Sequence, residues 1–460
     1  MNAPVHDVAV IGGGVVGCAI LRRLTLDGLR CVLLEKGADI LSGASKGNSA
    51  LLHTGFDAPT GSLELACMQA GYREYLAIHE SLNLPIVETG GLVVAWNEEE
   101  LAQLPGIVAL AHANGVLDVH QIPASDIHVR EPNLAPGALG AVLVPGEHVI
   151  DAWSAPLAYA LQAIANGAEV RRVTQVTAGR RLADHWLLDT TAGAVAARIV
   201  VNAAGLYGDR IEAIARATPF SIKPRKGQFV VFDKSAYALV KSIVLPVPTE
   251  RTKGVLVSRT AYGNLIVGPT AEEVDERESA SVDQDILQRL VEKAHALVPA
   301  LALHAVNAVY AGLRPATQFK DYQIEALPDR GWITVGGIRS TGLTGSLGIA
   351  AHVSGLYNRH FGPLQEHAGY RRDPVPNLCE ERIRRYQEPD AGEIVCHCEL
   401  VTRKEIEAAM SGPLPAADIG GLKRRTRCMM GRCQGFYCCA RVMELAAGRI
   451  ALPNPERVPS

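Results

Sequence analysis

DVAVIGGGVVGCAILRRLTLDGLRCVLLEKG, residues 7–37, reads as strand, tight turn, helix and second strand. Residues 8–11 are a continuous apolar run, the pattern of a parallel strand covered on both faces. Gly12, Gly14 and Gly17 follow with G-x-G-x-x-G spacing. The first permits the turn, the second lets a pyrophosphate approach the backbone, and the third lets helix and strand pack closely. The pyrophosphate belongs on the helix N-terminus, where unpaired amides and the dipole favour an anion. Residues 31–34 form the next strand, and Glu35 ends it 18 residues beyond Gly17, with Lys36 beside it. A carboxylate at that point accepts hydrogen bonds from a ribose diol. Glycines alone are a weak signal. With the flanking strand, helix and terminal acid they specify dinucleotide binding in a Rossmann-like α/β domain.

The chain has 460 residues, enough for two or three domains. Its 45 basic and 48 acidic residues give no electrostatic argument for nucleic acid or an anionic membrane. The uncharged run 8–21 has 14 residues, short of the roughly 18 a membrane span needs. No basic region precedes it, so it does not read as a signal peptide. The expectation is a cytoplasmic protein without a transmembrane segment, with peripheral attachment at the inner membrane left to a partner.

SGASKGNSALLHTGFDAPTGSLELACMQAG, residues 42–71, is a polar, glycine-rich loop running into a helix. It resembles the loop crossing beneath the flavin in the D-amino-acid oxidase superfamily. The likeness is greatest to the glycerol-3-phosphate dehydrogenase/oxidase and L-2-hydroxyglutarate dehydrogenase branches, whose NS-x-x-x-H-x-G pattern carries a histidine near flavin N5. Asn48, Ser49, His53 and Gly55 match it. Three later stretches resemble the same family. GAEVRRVTQV ends in Val176, similar to the residue whose backbone meets the adenine. RIVVNAAGLYGDRI resembles the strand and turn, around Gly205, that pass the cofactor. WITVGGIRSTGLTGSLGIAAHV resembles the closing strand, turn and helix, with Gly337 in the turn and Leu343, Thr344 and Gly345 offering amides to the flavin pyrimidine.

The resemblance implies FAD and a nucleotide-binding domain discontinuous in sequence; no histidine or cysteine occupies an evident attachment position, so the FAD is expected to be held without a covalent bond. That domain is expected over 1–90, 150–216 and 322–362. GLVVAW, KGQFVVFD, GVLVSRT and GNLIVGPT alternate like strands between Gly, Pro and Asp turns. They are expected to build an antiparallel substrate domain over 91–149 and 217–321.

Oxidising a carbon that bears a hydroxyl or amine requires removal of a proton from the heteroatom, and a neutral imidazole is a competent base near neutrality. His53 is the candidate. A small anionic substrate also needs a cation. Arg314, in YAGLRPAT, matches the position where relatives place an arginine over the flavin, and its planar fork suits a carboxylate or phosphate. A structural ion pair at a strand end is the competing reading. Lys253 is a second, weaker cation, and Ser340 and Thr341 are candidates for hydrogen bonds to the substrate anion. Some relatives have lysine where this chain has Thr341, which weakens the case for a phosphate.

Of ten cysteines, Cys18, Cys31, Cys67 and Cys379 are scattered and read as small core residues. The other six fall at 396, 398, 428, 433, 438 and 439. In a reducing compartment such a cluster argues for metal ligation. Residues 363–391 read as a linker, and 392–452 as a small helical unit whose TRKEIEAAMSG helix carries Ile406 and Met410 on one face. C-x-C is atypical of zinc sites, which favours an iron–sulfur cluster, but Cys428–Cys433 and Cys433–Cys438 have the same spacing. The unit resembles the bacterioferritin-associated-ferredoxin-like [2Fe-2S] domain. That resemblance implies Cys396, Cys398, Cys433 and Cys438 as ligands.

The chain is thus expected to be an FAD-dependent dehydrogenase of a small anionic secondary alcohol, glycerol 3-phosphate first. Its electrons would leave through the cluster to a protein partner or quinone. The alternatives are a 2-hydroxy acid such as L-2-hydroxyglutarate, an amine as in opine dehydrogenases, or a non-catalytic electron-transfer role.

Overall fold

The computed structural model describes residues 5–248, 254–365 and 369–450. Its first layer is an eight-stranded sheet. Val176–Arg181, Trp186–Thr190, Val195–Asn202, His6–Ile11, Cys31–Leu34 and Glu169–Arg171 lie side by side in that order. Trp332–Gly336 joins Val195–Asn202, with Gln323–Leu327 beyond it. The central pairs are parallel, and the chain returns to this sheet from three separate stretches. Cys31–Leu34 is buried along its whole length, so its apolar run needs no alternation.

Helices Val15–Leu26, Leu63–Ile78, Ser154–Ala165 and Gly342–His360 contribute Leu21, Cys67, Tyr159 and Val353 to the principal core. Each fully buried large apolar side chain of this core contributes about 1.5–3 kcal/mol of hydrophobic stabilisation. Two glycines set one helix crossing. A Cβ on Gly71 would stand 2.1 Å from the Thr344 carbonyl, and one on Gly348 would stand 2.0 Å from that of Cys67. Leu63–Ile78 and Gly342–His360 therefore pack backbone to backbone.

The second sheet has nine strands and includes all four segments with strand-like alternation, as Gly91–Ala95, Arg225–Phe232, Leu256–Arg259 and Leu265–Gly268. One pair departs from the expected antiparallel order: Ile243–Pro246 runs parallel to Gly91–Ala95. These strands are distant in sequence, so no hairpin turn dictates their direction. A small sheet of Leu51–Leu52, His148–Ile150 and Ile86–Glu88 lies apart from the two large ones. Its register sets Leu52 opposite His148.

The C-terminal unit pairs Ile394–Cys396 with Val401–Thr402 and adds helices Arg403–Ala409, Ile419–Thr426 and Cys439–Ala446. Thr402 and Glu405 form a reciprocal cap at the first helix, and Ile406, Leu422 and Val442 share a core with Val395. The preceding stretch is not a loose linker. Leu378, Cys379 and Arg384 are buried, and Arg384 pairs with Glu380 at 2.7 Å. Lys234 reaches the same Glu380 at 2.8 Å, and the Glu380 backbone N–H donates to the Ala261 carbonyl at 2.9 Å, so the strap is tied to the second sheet.

Docking of the C-terminal unit centres on Asp39, which is 0 % exposed. Arg425 gives it two hydrogen bonds, of 2.5 and 2.8 Å, and Arg424 donates to the Ile40 carbonyl at 3.1 Å. Arg427 bonds Glu399 at 3.0 Å and lies 4.2 Å over the Tyr262 ring. Breaking such a buried pair from one side costs about 3–5 kcal/mol. Among the described residues no helix is long and apolar enough to cross a membrane.

Candidate functional site

A cavity of about 1380 Å³ is lined from both large sheets. An ordinary small-molecule pocket holds roughly 300–1,000 Å³, so this one has room for a dinucleotide and a small substrate together. At one end lies the glycine turn. Gly12 has φ +110°, and a Cβ there would stand 2.5 Å from the Ala203 carbonyl. A Cβ on Gly17 would stand 1.9 Å from the Gly12 carbonyl, which is the close helix–strand approach the spacing implies. The helix Val15–Leu26 has no side-chain cap on Gly14; instead Ser45 accepts from the Val15 amide at 3.0 Å. Glu35 accepts from the Gly13 and Gly37 amides at 2.6 and 2.7 Å, one on each oxygen. An ionised carboxylate has about four acceptor positions, so it can still take a ribose hydroxyl. These features fit FAD.

Gly12, Gly14, Glu35, Lys36, Asn48, Ser49, Val176, Gly205 and Leu343 all line the cavity. Lys36 places its ammonium 3.5 Å from the centre of the Tyr207 ring. Asn48 is occupied within its own loop, accepting from Ala50 and donating to the Ser45 carbonyl. Other expected contacts are used differently. Gly337, Thr344 and Gly345 are not on the lining. The Gly345 amide is spent inside its helix on the Thr341 carbonyl. Thr344 accepts from the His53 backbone N–H at 3.1 Å and donates to the Leu51 carbonyl. Ser340 and Thr341 do line the cavity, but the Thr341 hydroxyl is buried between Glu64 and Tyr322, each at 2.7 Å. That pairing takes Thr341 out of the expected role toward an anion. Lys253 lies outside the described residues.

His53 faces the cavity, and its Nδ1 lies 2.7 Å from Glu147 Oε2. Glu147 has no sequence signal of its own. It arrives because His53 and Glu147 each lie one residue beyond the paired Leu52 and His148.

Arg314 lines the same cavity and directs two nitrogens at the Thr270 carbonyl, both at 3.2 Å. Its guanidinium lies over Gly227, where a Cβ would stand 2.5 Å from Nη2. Burial first, and then the neighbouring Arg225 and Arg339, bring its pKa down to about 10. It therefore remains charged at neutral pH within a positive corner of the cavity. An anion placed there would relieve that repulsion. Arg225 and Arg339 also line this corner, and sequence reasoning did not single them out.

In the C-terminal unit Cys396 is the thiol neighbour of Cys438, and Cys433 that of Cys398. The backbone amide of Tyr437, aided by those of Gly435 and Phe436, lowers the Cys433 pKa and favours its thiolate. Gly431 makes room for this pairing, since a Cβ would stand 2.3 Å from that of Cys398. The loop is tightly wound, with Arg427, Met429 and Gln434 all at positive φ. Cys428 is buried, and that burial pushes its thiol up to about 11. Among the described residues no three His, Cys, Asp or Glu side chains close around a point fit for one metal ion. Two pairs of thiols suit a two-iron cluster held by four thiolates.

The model of the FAD dependent oxidoreductase family matches residues 7–356, and that of the BFD-like [2Fe-2S] binding domain matches 394–447. A glycerol 3-phosphate dehydrogenase of Caloramator mitchellensis is 31% identical over 98% of this chain and 95% of its own length. One component chain of the anaerobic glycerol-3-phosphate dehydrogenase of Escherichia coli K12 is 26% identical over 95% of this chain and 87% of its own length. The structure of dithionite-reduced L-alpha-glycerophosphate oxidase from Mycoplasma pneumoniae, with FAD bound, superposes with a TM-score of 0.76. It shares 26% identity over 82% of this chain and 100% of its own.

Proposed function

This chain belongs to the FAD-dependent oxidoreductase family and carries a BFD-like [2Fe-2S] binding domain, and from that premise we propose that it oxidises glycerol 3-phosphate to dihydroxyacetone phosphate. The observation that carries the reading is a histidine tied to a buried carboxylate, lining one cavity together with an arginine charge. The relatives named as glycerol 3-phosphate dehydrogenases support the substrate.

FAD, when bound, supplies the two-electron hydride acceptor, and the cluster a one-electron outlet. The protein does the rest. Gly12, Gly14 and the Val16 amide would hold the pyrophosphate, Glu35 the ribose, and Val176 and Gly205 the adenosine end. Arg314, helped by Arg225 and Arg339, holds the substrate's phosphate. His53 takes the proton of the hydroxyl being oxidised. Cys396, Cys398, Cys433 and Cys438 hold the cluster. Beside Cys433, Phe436 and Tyr437 are 82% and 78% exposed, a pair of aromatic anchors suited to an electron-accepting protein.

Anaerobic mixing of the purified, FAD-loaded protein with glycerol 3-phosphate, L-2-hydroxyglutarate or an opine tests this. Glycerol 3-phosphate alone is expected to bleach the flavin without any partner protein. Bleaching by another compound and not by this one would reassign the substrate. No bleaching by any of them would make the chain an electron relay.

Arg314→Lys tests the anion clamp. Lysine keeps the charge but loses the flat fork that Gly227 accommodates, and hydrogen bonds to charged groups are worth about 1.5–3 kcal/mol. Substrate affinity is expected to fall roughly 10- to 100-fold. Unchanged affinity would move the anion site away from Arg314.

A further inference from the structure

Glu147 is 0 % exposed, and a buried carboxylate persists only where hydrogen-bond donors replace its hydration. Its two oxygens are employed differently. Oε1 accepts from the Thr54 backbone N–H at 2.6 Å and the Thr54 hydroxyl at 2.9 Å. Oε2 meets His53 Nδ1 at 2.7 Å. Thr54 thus anchors the carboxylate without help from the imidazole and aims its other oxygen at the ring. Behind it Gly91 leaves room, since a Cβ there would come within 3.2 Å of the Glu147 side chain. An ionised carboxylate only accepts hydrogen bonds, so Nδ1 carries the proton and the basic lone pair sits on Nε2.

We propose that Glu147 is the positioning residue for proton abstraction. It holds His53 in the Nδ1–H tautomer, with Nε2 as acceptor, and its charge stabilises the imidazolium that forms. The proposal rests on His53 acting as the base. In the step, the substrate O–H bond breaks, its proton forms the new N–H bond at Nε2, and the accompanying hydride is the one the family's reaction already assigns to FAD.

Other ionisable groups surround the pair. Burial raises the Tyr72 phenol to about 12 and lowers His148, so both are neutral where the enzyme would work. Glu88 lies opposite His148 in the sheet, and Asp57 and Arg314 line the same cavity. Glu147 is in direct contact with the imidazole, so its removal is expected to move the base most.

The test uses FAD-loaded full-length wild type, Glu147→Gln and Glu147→Asp. Flavin reduction by glycerol 3-phosphate is followed anaerobically against pH, and nitrogen-15 NMR of histidine-labelled protein reads the His53 tautomer. The His53 signal is assigned from its loss in His53→Ala. In wild type the protonated nitrogen should be Nδ1. In Glu147→Gln the rise of rate with pH should move down by roughly 1–3 units, because the imidazolium loses its counter-charge. The rate above that rise should fall roughly tenfold, as expected of a weaker base. Glu147→Asp should restore part of the shift. An unshifted profile in a folded, FAD-replete Glu147→Gln protein would overturn the proposal. So would an Nε2–H tautomer in wild type, which decides the matter even if the variant does not fold. A wild-type rate in His53→Ala would instead sink the base assignment, so the two failures are distinguishable.

Discussion

His53→Ala is expected to slow flavin reduction by glycerol 3-phosphate roughly 10²–10⁴-fold, the usual worth of a positioned general base. FAD content should not change, because the glycine turn and Glu35 that fit the nucleotide are built without the imidazole. Stability should fall as well. Truncation takes from buried Glu147 its imidazole partner and leaves the two Thr54 bonds, and a buried polar group short of a partner costs about 1–3 kcal/mol. His53→Asn separates the two effects. Its amide can still donate to Glu147, so melting should recover toward wild type while the rate stays low. A His53→Ala enzyme that reduces its flavin at the wild-type rate would show the residue to be structural.

Loss of the whole cluster is the second large effect. Serine at Cys396, Cys398, Cys433 or Cys438 should remove the iron and its visible absorption. Serine at Cys428 or Cys439 should leave both intact. The distinction has a structural basis. Cys396 neighbours Cys438 and Cys398 neighbours Cys433, which sets these four thiols in two pairs. In every variant FAD should stay bound and substrate should still bleach it, while electron delivery to an acceptor stops. Iron lost in Cys428→Ser but retained in Cys438→Ser would shift the ligand pair by five residues. Stoichiometric zinc without acid-labile sulfide in anaerobically prepared protein would make the domain a structural clip.

What the sequence made legible divides along the distance over which residues act. The glycine turn and Glu35 belong to one local unit, and their spacing follows from a backbone that must approach a phosphate and a strand that must end at a ribose. Glu147 could not be read this way. It meets His53 across 94 residues, through the pairing of two short strands that have no pattern of their own. The partners of Thr341 were hidden for a related reason. Its hydroxyl faces Glu64 from a distant helix, and nothing near residue 341 announces that partner. Arg225 was hidden by its strand register, which brings it opposite Arg314. The parallel pairing of Ile243–Pro246 likewise depends on a long connection that no hairpin signal can describe.

The Asp39 contact has a consequence for the order of assembly. Glu35 and Gly37 sit at the nucleotide turn, Leu41 donates to the Gly13 carbonyl at 2.9 Å, and Asp39 and Ile40 between them receive Arg425 and Arg424. One seven-residue stretch is thus both the rim of the cofactor cradle and the floor on which the cysteine unit rests. Thermodynamic reciprocity then applies. Whatever free energy bound FAD contributes to ordering this stretch returns as firmer seating of the C-terminal unit, and the reverse holds equally. A chain that has lost its nucleotide would therefore seat its C-terminal unit less firmly, even where the cysteines still hold their iron.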